Sequence, residues 1–177
     1  MIEVLHNIYN YLLNNFVFVT GVAAGMKWVY EYSQSRKFEK NKFLYDKISS
    51  LDGLNNSKFV KKMLDWNKFK IKDGDDIHFI TDDILIESLT THDKKNQFNP
   101  TEVWIRAQFD EWFDNINELI ILSECGLIDK KNLKRMLQYW INILNGTKKV
   151  KKKTFSIQIE NYLLYYGYHD VAAFIKH

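Results

Sequence analysis

The sequence is short of chain breakers and of reactive side chains. One proline, Pro100, and seven glycines in 177 residues leave little to interrupt long helices. The single cysteine, Cys125, excludes an internal disulfide framework and any multi-cysteine metal site. That fits a reducing compartment for the bulk of the chain. No P-loop, GxGxxG, HExxH or GxSxG stretch occurs. The histidines, His6, His78, His92, His169 and His177, are scattered, and none lies one helical turn from another histidine or from the cysteine. The sequence therefore offers no metal site, and no cofactor is expected. A net charge of +3 is too small to mark a nucleic-acid binder by itself. There is no internal repeat.

Charge is also missing locally. No ionisable acid or base other than tyrosine occurs from Asn7 to Met26. Such a run of about 20 residues, roughly 30 Å as a helix, matches a bilayer core. Asn7, Asn10, Asn14 and Asn15 interrupt its hydrophobicity. At helical spacing Asn7, Asn10, Asn14, Phe18, Gly21, Gly25 and Trp28 share one face, and Ile8, Leu12, Phe16, Val19, Val22, Ala23 and Met26 take the other. One side suits lipid. The other offers amides and a Gly21-x-x-x-Gly25 notch, which in hydrocarbon call for neighbouring helices. Since each chain supplies one such helix, the neighbours are sister copies, and a ring of them would turn the asparagines towards a central opening. A cleaved signal peptide, a buried core helix with paired amides and a plain monomeric anchor are the competing readings. The first is disfavoured because no lysine or arginine precedes the apolar run.

Lys27, Arg36, Lys37, Lys40, Lys42 and Lys47 follow, against Glu31, Glu39 and Asp46. The positive-inside rule places the N-terminus outside and the bulk of the chain in the cytoplasm. Trp28, Tyr30 and Tyr32 would form an aromatic belt at headgroup level. Without a breaker before Leu51-Asp52-Gly53, the helix continues as a stalk. The expected division is a membrane helix and stalk over 1–50 and a cytosolic helical bundle over 51–177, all-α in class.

In the bundle, Ser57 is placed to cap a short helix over 58–66. Residues 68–80 read as a loop or a short strand pair. Thr81 can cap another short helix through Leu89, and 90–99 read as a polar, mobile connection. Asn99-Pro100, with Glu102 in the first turn, opens the clearest helix. Trp104, Ala107/Gln108, Trp112, Ile116, Leu119 and Leu122/Ser123 recur along it until Gly126 ends it. Asp129 caps the next, with Leu133, Met136, Leu137, Trp140, Ile141 and Leu144 on one face and Gly146 closing it. Thr154 is placed to cap a third, and Gly167 breaks it before a last helix over 171–176.

Two clusters invite chemistry. Arg106, Asp110, Glu111 and Asp114 share the long helix. They read as an acid/base group or, more simply, as a solvated face with Arg106 paired to Asp110 one turn on. Lys148, Lys149, Lys151, Lys152 and Lys153 form the densest charge, suited to headgroups or RNA phosphates, or else a loop of solvated lysines. Aromatic residues do not interleave with them as a stacking platform would.

The N-terminal membrane helix, the stalk beginning Trp28-Val29-Tyr30-Glu31-Tyr32, and the helical part bearing Arg106-Ala107-Gln108-Phe109-Asp110-Glu111-Trp112-Phe113 and Gly126-Leu127-Ile128-Asp129 form a layout. It resembles the small accessory membrane proteins encoded beside the RNA-guided RNase of type VI-B CRISPR systems. The likeness covers most of the chain as architecture and length. It implies a divergent HEPN-like bundle, location in the bacterial inner membrane, a role in antiviral defence that enhances RNA-guided interference, and assembly into a pore. The implied partners are further copies, lipid, and the effector nuclease or RNA. HEPN ribonucleases carry arginine, then four to six intervening residues, then histidine. None of Arg36, Arg106 and Arg135 is so followed, so the expectation is a non-enzyme, with a membrane-tethered RNA-binding protein or ribonuclease and a passive anchor as alternatives. As pore-lining or helix-interface residues, Asn7, Asn10, Asn14, Phe18, Gly21 and Gly25 are the candidates.

Overall fold

A computed structural model describes residues 2–176, without the side chains of 2–5, 7–10, 12 and 14. It divides into two compact units, Met1–Lys42 and Phe43–His177. Seven helices and one hairpin are assigned among the described residues: α1 (Ile2–Gly53), α2 (Asn55–Asp65), β1 (Lys68–Asp73), β2 (Asp76–Thr81), α3 (Asp82–Ser88), α4 (Pro100–Glu124), α5 (Lys130–Leu144), α6 (Lys153–Tyr165) and α7 (His169–Lys176). The chain is thus mostly helical, as its scarcity of breakers permits. Among the described residues no helix is long and apolar enough to cross a membrane.

The first unit is helix alone. Every residue from Asn15 to Glu39 is exposed. Within the second unit the pattern changes on the same helix: Leu44, Ile48 and Leu51 recur every third or fourth position and are buried. One apolar stripe, rather than an apolar circumference, marks a helix that packs by one face against a protein core. The boundary therefore falls before Phe43, inside the expected stalk, while α1 ends at Gly53 as the Leu-Asp-Gly stop indicates.

The second unit is built on α4, against which α2, α3, α5 and α7 pack, with α6 against α3, α5 and α7. Asn99 Oδ1 accepts from the Glu102 N–H, and Glu102 returns a carboxylate to the Asn99 N–H, completing a capping box ahead of Pro100. The buried stripe of α4 is Glu102, Ile105, Arg106, Phe109, Trp112, Phe113, Ile116, Leu119 and Ile120. Its first turns are rotated from the expected phase: Ala107 is exposed and Arg106 buried, because Trp104 packs beside the hairpin rather than in the core. Trp112, Phe109, Phe113 and Tyr162 are fully enclosed, and burying each such ring contributes about 2–3 kcal/mol.

Some expected caps hold and others do not. Thr81 Oγ1 accepts from the Ile84 N–H, and Asp129 Oδ1 from the Asn132 N–H. Ser57 is no cap: α2 begins earlier, at Asn55, and the Ser57 hydroxyl is buried without a partner. Thr154 is no cap either, since α6 begins at Lys153 without a side-chain cap. Residues 68–81 form an antiparallel hairpin pairing Lys70 with Phe79 and Ile71 with His78, closed through Gly74 at φ +60°.

Candidate functional site

The most organised polar cluster surrounds Arg106, on the buried stripe of α4. A guanidinium in a core needs acceptors for its donors. Here Nη1 donates to the Ser88 and Thr90 carbonyls, each at 2.8 Å, where α3 has just ended and its last carbonyls lack helical partners. Nη2 donates to the Tyr166 hydroxyl at 2.6 Å and lies 3.4 Å from His92 Nδ1. Phe98, Tyr162 and Tyr166 present ring faces 4.3, 5.0 and 5.2 Å from the guanidinium carbon. Arg106 thus clamps α3, the 90–99 segment, α4 and α6 together.

The Tyr166 hydroxyl, having accepted from Arg106, has its own proton for His92 Nδ1, with which it is also hydrogen-bonded. In the neutral ring this makes Nδ1 the acceptor and leaves Nε2 as the N–H. His92 is the exposed member of the cluster, edge-on to Phe98 and Tyr166. One turn along α4, Asp110 accepts from the Tyr162 hydroxyl at 2.5 Å. Burial raises the Asp110 carboxyl above its ordinary range, opposed by the Tyr162 hydrogen bond and the Arg106 charge. Burial and the Asp110 carboxylate push the Tyr162 hydroxyl far up, and burial also raises that of Tyr168, with Asp110 and Asp114 adding to it. Both tyrosines are therefore hydrogen-bonding groups and not acids at physiological pH. The reading of Arg106 as half of a solvated ion pair is corrected: its partners are carbonyls and a tyrosine because its position on the stripe takes it inward.

Sequence spacing could not have found His92, Tyr166 or the Ser88 and Thr90 carbonyls, which come from three other segments. The one available signal was Arg106 lying three residues before Phe109 and seven before Phe113 on a helix. The 90–99 segment, expected to be mobile, is tied at its start by the Thr90 carbonyl to Arg106, at its middle by Lys95, which pairs with the buried Glu102 at 2.7 Å, and at its end by the Asn99 capping box.

The lysine run is divided by the fold. The side chain of Lys151 turns inward, donating to Asp82 at 2.7 Å and to the Trp66 carbonyl at 2.6 Å, and burial lowers its pKa. Lys152 pairs with Asp83 at 2.6 Å on the surface, where the carboxylate raises its pKa. Lys148 lies over the Tyr139 ring at 3.5 Å. Lys149 and Lys153 are exposed. A continuous basic loop is therefore not presented.

In the first unit, Phe18 is 71% exposed, and a Cβ added at Gly21 or Gly25 would meet nothing within 4 Å. Gly25 lies with Val22, Met26 and Val29 along a shallow apolar groove. The side chains of Asn7, Asn10 and Asn14 lie outside the described residues. Among the described residues no group of three or more His, Cys, Asp or Glu is placed to hold a metal ion. Comparison with family models, with curated proteins and with solved structures gives no match.

Proposed function

We propose that the chain is a self-associating membrane-tethered protein, its first unit gathered with sister copies in a bilayer and its second unit a compact helical module in the cytoplasm. One observation carries this reading. Phe16, Val17, Phe18 and Val19 are consecutive and 67%, 60%, 71% and 62% exposed. Four successive helical residues cover nearly the whole circumference. An apolar turn that runs nearly all round the axis is not covered by one flanking surface, and it favours enclosure.

A segment that falls short of a self-sufficient span enters a bilayer when copies of itself meet its polar groups. The open surroundings of Gly21 and Gly25 suit that close approach. The resemblance extends the proposal to a pore or membrane-perturbing assembly that enhances RNA-guided antiviral interference, and the helical spacing of Asn10 and Asn14 makes them the candidates to line it.

Alkaline extraction of membranes, followed by the mass of the detergent-solubilised particle, tests the tether and the assembly together. The expected result is membrane retention and a large particle, both lost when Phe16, Val17, Phe18 and Val19 are replaced by serine. A monomer that washes off the membrane would overturn it. For the channel, Asn10→Leu with Asn14→Leu should abolish membrane depolarisation while leaving insertion intact.

A further inference from the structure

The hairpin of the second unit sorts its side chains by face. Phe69, Ile71, His78 and Ile80 are buried. Strand alternation then sends Lys68, Lys70 and Lys72 to the opposite face, and the register sets Phe79 beside Lys70 and Ile77 beside Lys72. All three lysines are exposed. Ile77 is 67% exposed and Phe79 42%, with the Lys68 ammonium 5.5 Å from the Phe79 ring. The acids of the turn do not cancel this charge. Of the three turn acids, Asp73 and Asp76 have the parity of the buried face, Asp73 accepts from Trp104 Nε1 at 2.7 Å, and the exposed Asp75 lies in the turn beyond the paired strands, past the end of the lysine row.

We propose that this face docks on an anionic lipid surface. Three cations beside two unsatisfied apolar side chains match a headgroup layer, where lysines meet phosphates and the short apolar groups enter the acyl boundary. A nucleic acid would use such a face by stacking bases on ring planes. The more exposed apolar residue here, Ile77, has no ring, and Lys68 lies against the ring of Phe79. The choice of lipid rests on the tethering proposed above, but the two fail separately.

The full chain, with Cys125→Ser and Ile77→Cys carrying an environment-sensitive dye, is mixed with phosphatidylcholine vesicles with or without ~30% phosphatidylserine. The expected result is a blue shift on anionic vesicles only, lost in about 0.5 M salt. In the chain whose Phe16, Val17, Phe18 and Val19 are serines, flotation with anionic vesicles should persist. Lys68→Gln, Lys70→Gln and Lys72→Gln together should weaken it by on the order of 100-fold. No blue shift while the wild-type helix still inserts overturns the hairpin proposal and leaves the tether standing. Salt-sensitive capture of single-stranded RNA that depends on these lysines, without vesicle binding, also overturns it.

Discussion

α1 carries two chemistries along one unbroken helix. Over residues 15–39 every side chain is exposed, apolar and polar alike. From Leu44 to Leu51 a single stripe turns into the core of the second unit. The same backbone hydrogen bonds serve both parts, so the difference lies wholly in where the apolar groups stand around the axis. A stripe can be satisfied by one flank of a protein. The turn Phe16–Val19 runs nearly all round the axis, which is more than one flank can cover. The second unit, in contrast, encloses a core of its own, and its buried charges Arg106 and Glu102 have internal partners.

The largest loss is expected at Arg106. Arg106→Ala leaves the Ser88 and Thr90 carbonyls and Tyr166 without their donor. It should cost the second unit about 3–5 kcal/mol in chemical denaturation followed by tryptophan fluorescence. Replacing Phe16 to Val19 with serine should leave that transition where it was. A smaller loss is expected at Lys151, whose removal strands Asp82 in a largely buried position: Lys151→Ala should cost about 2–4 kcal/mol. Lys152→Ala, on the surface, should not measurably move the denaturation midpoint.

Glycines sharpen the contrast further. Gly146 sits at φ +74°, and a Cβ there would meet Ser156 Oγ at 2.9 Å. Gly146→Ala should destabilise the second unit by about 1–2 kcal/mol. Gly21 and Gly25 have open surroundings. Gly21→Leu with Gly25→Leu should leave the same transition unmoved and instead reduce the mass of the detergent-extracted particle.

The smallest effect is a change of pH slope. The folded chain holds the Asp110 proton more tightly than the unfolded chain, because burial raises that carboxyl above 3.8. The stabilisation this provides is complete below 3.8 and is lost as pH rises through the folded value. Asp110→Asn keeps an acceptor for Tyr162 and removes the titration. The variant's denaturation midpoint should therefore fall less, or rise more, than the wild type's between about pH 4 and pH 7.

Much of the secondary structure was legible because its signals are local. Asn99-Pro100-x-Glu102, Thr81, Asp129, and Gly126 and Gly146 each act within a turn or two of themselves. Ser57 and Thr154 misled because the same side-chain types start helices only when the chain enters from an extended conformation at that position. In α2 the chain was already helical at Asn55. The hairpin was open to two readings, since Lys68, Lys70 and Lys72 alternate with Phe69 and Ile71 but the strands are short.

By itself the sequence determined a mostly helical chain, the stop at Gly53, the capped start of α4, and an N-terminal segment without ionic groups. Those properties depend on neighbours a few bonds away. Tertiary structure alone decided that Arg106 goes inward to carbonyls from another segment, that Lys151 leaves its basic run to join Asp82, and that three lysines and two apolar residues share one face of the hairpin. Each of these outcomes depends on what stands opposite a side chain in space, and that is set by how the helices pack and how the strands register.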